Sequence, residues 1–495
     1  MTEHNNNEER MFGLLEIKQK NNYRPKLHFA PQKNWMNDPN GMVFYQGKYH
    51  LFFQHNPDST VWGPMHWGHA VSEDMIHWEE RAIALFPDEL GMIFSGSIVV
   101  DWHDTSGFFN GGHGLVAIFT HHLDREQQPP EQYQSLAYSL DEGETWIKYD
   151  QNPVLKSEEK IDFRDPKVFW HEETNKWVMI LATGQTVMMY SSKDLKDWQF
   201  ESEFGEGVGY QEAVWECPDL FELPIDGTTD KKWLMIVSVG DNDKRDVGSK
   251  TQYFIGDFDG RVFTPIDTNI RWLDYGRDNY AGVSFSDIPE EDGRRIYLGW
   301  MSNWRYANVV PTDGWRSQMT LPRVLSLTHK GDTLIAKQEP VSELSSYVTD
   351  QLAMTARELT DDVTVPLFRE AMQIDLELQL DAADQVVITL QSQEDDQLTL
   401  TLDAHDEILT LDRSKAGQID FSPLFKEVQT APINTGHIQL SIVLDRSSIE
   451  LFAGGGTSAL TSLVYPHEHF SDLSLTSVNQ RSSLVSGKVK RLSKG

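Results

Sequence analysis

The chain has 495 residues, more than one hydrophobic core ordinarily supports, so two domains are expected and small stapled folds are excluded. Its 43 Lys and Arg against 76 Asp and Glu leave a formal net charge of −33, a surface that repels nucleic-acid phosphates and anionic membranes and favours a neutral ligand. Hydrophobic residues at 39% and aromatic residues at 11%, with 15 Trp among them, are the composition of a folded protein and exclude disorder over most of the chain.

The polar start, Asn5-Asn6-Asn7-Glu8-Glu9-Arg10, reads as part of a flexible segment over residues 1–22. The short apolar stretch from Met11 to Ile17 lacks the basic start and small-residue cleavage site of an export signal. No apolar run reaches the ~18 residues of a membrane-spanning helix. The single cysteine, Cys217, forms no internal disulfide. Together these features point to a soluble, cytoplasmic protein.

Beyond residue 22 helical periodicity is scarce, and short apolar runs bounded by Gly, Pro, Asn and Asp recur, the mark of strands joined by turns. Five strand openers stand out: Asp38-Pro39, Ser95-Gly96, Asp165-Pro166, Glu216-Cys217-Pro218 and Tyr280-Ala281-Gly282. Most are followed after a turn by a second apolar run. A divergent unit, Ser-x-Asp with a Trp shortly after, occurs at Ser72/Asp74/Trp78, Ser139/Asp141/Trp146 and Ser192/Asp194/Trp198. The pattern predicts an all-β chain that opens with a five-bladed β-propeller over 23–335. From about residue 345 Trp disappears and two-residue alternation takes over, as in Met372 to Leu380 and Leu398 to Leu402, which predicts a C-terminal β-sandwich over 345–495.

In a propeller the innermost strands run along the central axis, so equivalent openers face one another at one mouth, and Asp38, Asp165 and Glu216 are expected to meet there. Asp38, followed by proline and flanked by amides, is expected to be kept ionised by hydrogen bonds, as Asp165 is by Arg164. Glu216, among Trp215, Cys217 and Pro218, is expected in apolar surroundings that favour its protonated form. Two anionic aspartates and one protonated glutamate are the division of labour of a glycosidase. Taken singly, each acid is as readily a turn residue or one half of a surface ion pair. Trp35, Trp62, Trp67 and Trp300 are expected to offer flat faces to a sugar, and Asn37, Gln54, Ser95 and Arg164 hydrogen bonds. His50, His55, His66, His69 and the pair His121-His122 lack metal-ligand spacing and read as strand-face residues.

These residues resemble glycoside hydrolase family 32, the β-fructosidases. The motifs are Trp35-Met36-Asn37-Asp38-Pro39-Asn40-Gly41, Phe94-Ser95-Gly96-Ser97, Arg164-Asp165-Pro166 and Trp215-Glu216-Cys217-Pro218. The resemblance implies a retaining mechanism with Asp38 as nucleophile, Glu216 as general acid/base and Asp165 as transition-state stabiliser. It implies a fructose subsite of Asn37, Gln54, Trp62, Phe94, Ser95, Arg164 and Trp300, and no metal or organic cofactor. Segments such as Trp272-Leu273-Asp274-Tyr275-Gly276 are similar to the levanase and exo-inulinase branch, which implies an exo-β-fructosidase of fructans, fructo-oligosaccharides and sucrose, acting on imported oligosaccharides if cytoplasmic. Asp278-Asn279-Tyr280-Ala281 departs from the family's usual Asp-Phe-Tyr-Ala, a change that leaves Asp278 and Tyr280 in place and leaves the shape of the aglycone side open. The alternatives are a sucrose-6-phosphate hydrolase or invertase, a fructosyltransferase, and a non-catalytic carbohydrate-binding propeller. The expected partner is a neutral fructoside, with no nucleic acid and no membrane; oligomeric state, a homodimer included, is left open.

Overall fold

The computed structural model describes residues 23–242 and 248–494; the segment expected over 1–22 lies outside the described residues. Among the described residues five antiparallel sheets have the innermost strands Asn34–Tyr45, Met92–Asp101, Arg164–His171, Trp215–Pro224 and Tyr280–Ser284. Each of these strands contacts the next, and the fifth contacts the first, so the sheets close into a five-bladed propeller. The five openers fall on these strands, Tyr280 at the first residue, Asp165 and Glu216 at the second, and Ser95 and Asp38 further in than expected. The ring is sealed where Trp315–Arg316 pairs parallel with Asn34 and Trp35. At its other end, Phe44 N–H donates to Ser286 O at 3.0 Å and Ser286 N–H to Met42 O at 2.9 Å.

The Ser-x-Asp…Trp unit is one turn used three times, between the third and fourth strands of the first three blades. The Ser hydroxyl accepts the Asp backbone N–H, the Asp carboxylate accepts N–H groups further round the turn, and the Trp indole N–H donates to the carbonyl three residues before it. Side chains thus satisfy backbone groups that no ladder reaches.

The alternating segment forms two sheets packed face to face. Met372–Leu380 buries Met372, Ile374, Leu376, Leu378 and Leu380 on one face, and Leu398, Leu400 and Leu402 join the same aliphatic core. Period-two alternation has put every apolar side chain of these strands on the inner face. The last propeller strand, Thr333–Pro340, runs past residue 335, and the first sandwich strand begins at Val348. We propose that the domain boundary is the 3-10 turn Ser342–Tyr347 between them.

Charged groups without solvent access fasten the two domains. Arg323 donates to Asp274 Oδ2 at 2.9 Å and from Nε to Glu450 Oε2 at 3.1 Å. His28 sits between Asp445 and Glu450, at 2.8 Å from each, and Arg413 meets Asp278 at 2.7 Å. Such groups are tolerated only because each is paired, and the pairing fixes how the sandwich seats on the propeller.

Candidate active site

All five innermost strands are bulged at the same point. The register slips between Met36 and Pro39, Ile93 and Gly96, Arg164 and Lys167, Glu216 and Asp219, and Tyr280 and Val283. Two residues there oppose one on the neighbouring strand, which bends the backbone and re-aims its side chains. In three blades the first bulge residue is left-handed without being glycine: Asp165 at φ 63°, Cys217 at 45° and Ala281 at 53°. Such strain, of order 1–3 kcal/mol per residue, persists where surrounding bonds enforce it. Here Asp165 N–H donates to Thr120 Oγ1 at 3.0 Å, and Cys217 N–H to Asp165 Oδ2 at 2.9 Å.

The register corrects the expectation of three equivalent acids. Asp165 matches Cys217, Glu216 directly precedes its bulge, and Asp38 is the second residue of its own. They converge because each bulge offers several outlets toward the axis.

Asp38 accepts from Ser95 Oγ at 2.7 Å, Asn37 Nδ2 at 3.0 Å and Cys217 Sγ at 3.4 Å. Burial nonetheless pushes its pKa above the ordinary carboxylate value, with the neighbouring Glu216 adding. Burial also pushes Asp165 up to about 7, with Arg164 opposing and Glu216 and Asp38 adding. Arg164 Nε stands 4.0 Å from Asp165 Oδ2 and its charge is outweighed by burial, so both aspartates are pushed up where hydrogen bonds and Arg164 were expected to hold them down. Glu216 likewise lacks the apolar surroundings expected. Its oxygens accept from Arg164 Nη2 at 3.0 Å and from the Tyr280 hydroxyl. Adjacent side chains leave a strand on opposite faces, and Trp215 turns away to donate to Tyr210 O and pack near Phe254. Burial holds the Cys217 thiol and the Tyr280 phenol protonated, well above their ordinary values, so both act as donors.

Of the tryptophans expected to present a face, Trp62 is exposed, at 42%, and lies edge-on to Phe94. Trp35, Trp67 and Trp300 are fully buried. Trp35 Nε1 donates to Asn37 Oδ1 at 2.7 Å, which turns the Asn37 amide N–H toward Asp38. Trp67 Nε1 holds the Phe94 carbonyl at 3.0 Å, while Trp300 Nε1 has no hydrogen-bond partner. Gln54 is buried against Asn40, whose Oδ1 it reaches at 2.8 Å. Cys217 and Tyr280 were not among the site residues expected from sequence, although Tyr280 opens the fifth repeat. Asn279 is buried, donating to Asp274 and accepting from Tyr297, and Asp278 points to Arg413 of the sandwich. His50 and His69 face one another 3.1 Å apart in the core. Among the described residues no group of three or more His, Cys, Asp or Glu is placed to hold a metal ion.

A closed ring of five sheets backed by a sandwich, with three carboxylates gathered at one mouth, defines a glycoside hydrolase of the propeller class. The chain belongs to glycoside hydrolase family 32: the glycosyl hydrolases family 32 N-terminal domain matches residues 28–339, and the family's C-terminal domain residues 343–491. It is similar to a levanase of Bacillus subtilis, 46% identical over 469 residues that span 92% of this chain and 68% of the relative. It is similar to an extracellular exo-inulinase of Aspergillus ficuum, 39% identical over 90% of each chain. Among solved structures, a β-fructofuranosidase of Schwanniomyces occidentalis complexed with fructosyl-erythritol superposes with a TM-score of 0.88 at 33% identity, covering 96% of this chain and 99% of that one.

The expectation of a cytoplasmic protein is overturned, because relatives at this level are named extracellular exo-inulinases. One free cysteine was no guide, since a closed ring and an aliphatic sandwich core need no disulfide on either side of a membrane. The character of residues 1–22 lies outside the described residues. No helix among the described residues is long and apolar enough to cross a membrane.

Proposed function

We propose that this glycoside hydrolase releases terminal non-reducing β-D-fructofuranosyl residues from fructans, fructo-oligosaccharides and sucrose by double displacement. The observation that carries the reading is the contrast between two carboxylates at one mouth. Asp38 is aimed by three donors, Ser95, Asn37 and Cys217, whereas Glu216 is gripped by a guanidinium and a phenol. A carboxylate fixed by donors and short of charge partners suits a nucleophile; one with a proton donor beside it suits an acid/base.

Glu216 protonates the glycosidic oxygen as Asp38 attacks the anomeric carbon, giving a fructosyl-enzyme; Glu216 then takes a proton from the water that displaces Asp38, so configuration is retained. Asp165, on its strained bulge, binds sugar hydroxyls in the transition state. Asn37, Ser95, Arg164, Phe94 and Trp62 surround the same mouth, and the buried Trp300 packs behind it against Trp35 and Tyr280. The names of the relatives, levanase, exo-inulinase and β-fructofuranosidase, support fructosides as the substrate class.

The test is fructose release from sucrose, sucrose-6-phosphate, 1-kestose, inulin and levan. Free fructose from kestose and a polymer, with little from the phosphorylated sugar, is expected. Preference for sucrose-6-phosphate, or kestose-type transfer products in place of free fructose, would overturn it.

A further inference from the structure

His122, half of a histidine pair to which the reaction assigns nothing, lies ring on ring with Phe94, centroids 4.2 Å apart and planes 9° from parallel. Its Nδ1 is 3.1 Å from Gln132 Nε2, and its Nε2 is 3.0 Å from Asp124 Oδ1. The Gln132 amide has one permitted orientation, because its Oε1 receives the backbone N–H of Phe163 at 2.8 Å and a backbone N–H can only donate. Gln132 therefore presents N–H to His122, Nδ1 is the bare acceptor, and the ring proton sits on Nε2, donated to Asp124. The same Gln132 Oε1 stands 3.4 Å from Arg164 Nη1, and Arg164 Nη2 donates to Glu216. A continuous chain of polar contacts runs from the exposed Asp124 to the carboxylate at the mouth.

We propose that His122 is a positioning residue, holding through Gln132 the guanidinium that pairs with Glu216, and that it does so only as the neutral ring. A proton on Nδ1 would set N–H against N–H. Gln132 would then have to turn, bringing its own donors against the donors of Phe163 and Arg164. The groups facing the ring are Asp124 at the end of its own strand segment, Gln132 and Phe94 from the two flanking strands, and the Arg164 charge from the next blade. Burial holds the ring's pKa below its ordinary value, with Asp124 opposing and Arg164 adding, so the neutral form is the one present near neutrality.

The inference rests on the roles proposed for Arg164 and Glu216, and two variants of the full chain test it. His122→Phe keeps the stack on Phe94 and removes the acceptor; kcat on sucrose is expected to fall on the order of tenfold near neutral pH. His122→Gln supplies an acceptor oxygen that does not titrate. It is expected to recover most of that loss and to carry the acid limb of kcat to lower pH than the parent. A parental kcat in His122→Phe, or a parental acid limb in His122→Gln, would overturn the proposal; if the Phe variant does not fold, the acid limb of the Gln variant decides alone. Glu216→Ala is measured alongside. Full turnover there overturns the site's assignment, whereas its loss beside an unaffected His122→Phe overturns only the part given to His122.

Discussion

The backbone N–H of Cys217 donates to Asp165 Oδ2 at 2.9 Å, so the bulge of one blade locks the acid of its neighbour. The acid is held in place by an interaction its own ionisation strengthens, in a site whose burial opposes that ionisation.

Asp165→Asn keeps an acceptor for that N–H and removes the charge. With the folded pKa raised from 3.8 to about 7, protonation favours the folded state, and stability is lost as pH rises through that window. The Asn variant is therefore expected to unfold at a higher temperature than the parent at about pH 8 and to match it at about pH 4. Its kcat on sucrose should fall while KM changes less. Thermal unfolding at the two pH values checks the first point, and equal shifts at both would contradict it.

Asp38→Asn leaves the bonds from Ser95 and Cys217 an oxygen to meet but provides no nucleophile. Turnover should drop by at least about 10⁴-fold on every fructoside, because no covalent intermediate forms. Initial rates on sucrose and inulin measure it; a loss confined to one substrate would point to binding instead.

Glu216→Ala removes the partner of both Arg164 and Tyr280. Sucrose hydrolysis should slow by about 10²-fold or more, with azide restoring turnover as a β-fructosyl azide. Product analysis by NMR decides, and an inverted azide would overturn the double displacement.

His28 tests the seam between the domains. Although burial opposes it, hydrogen bonds to Asp445 and Glu450 raise its pKa from 6.5 to about 9. The stability it contributes is full below 6.5 and is lost as pH climbs to about 9. His28→Gln should destabilise the protein by about 3–5 kcal/mol in mildly acid buffer, where two buried carboxylates lose their cation, and by less above about pH 9. Denaturant unfolding at both pH values reads the difference, and a pH-independent loss would mean that packing, not charge, is what His28 supplies.

The five strand openers were legible because proline and glycine punctuate apolar runs, and the sandwich because its leucines alternate without interruption. The bulges were not. A register slip leaves no mark in composition, so Asp38, Asp165 and Glu216 looked equivalent although each leaves its strand at a different step. The surroundings of Glu216 were misjudged for the same reason: Trp215 and Cys217 are its neighbours in the chain, but Arg164 and Tyr280, from two other blades, are its neighbours in space. Asn279 shows the converse, a departure beside a site residue whose side chain is buried between Asp274 and Tyr297. Trp35 and Trp67 were placed near the right pocket, yet both act by holding Asn37 and Phe94 from behind.

The parallel pairing of Asn34 and Trp35 with Trp315 and Arg316 has a consequence for synthesis. The neighbour that closes the edge of the strand bearing Asp38 is made nearly three hundred residues after that strand. Until then that edge of the strand has no partner, and an unpaired strand edge is a template for pairing with other chains. The ring that gathers Asp38, Asp165 and Glu216 at one mouth is complete only when that late segment pairs.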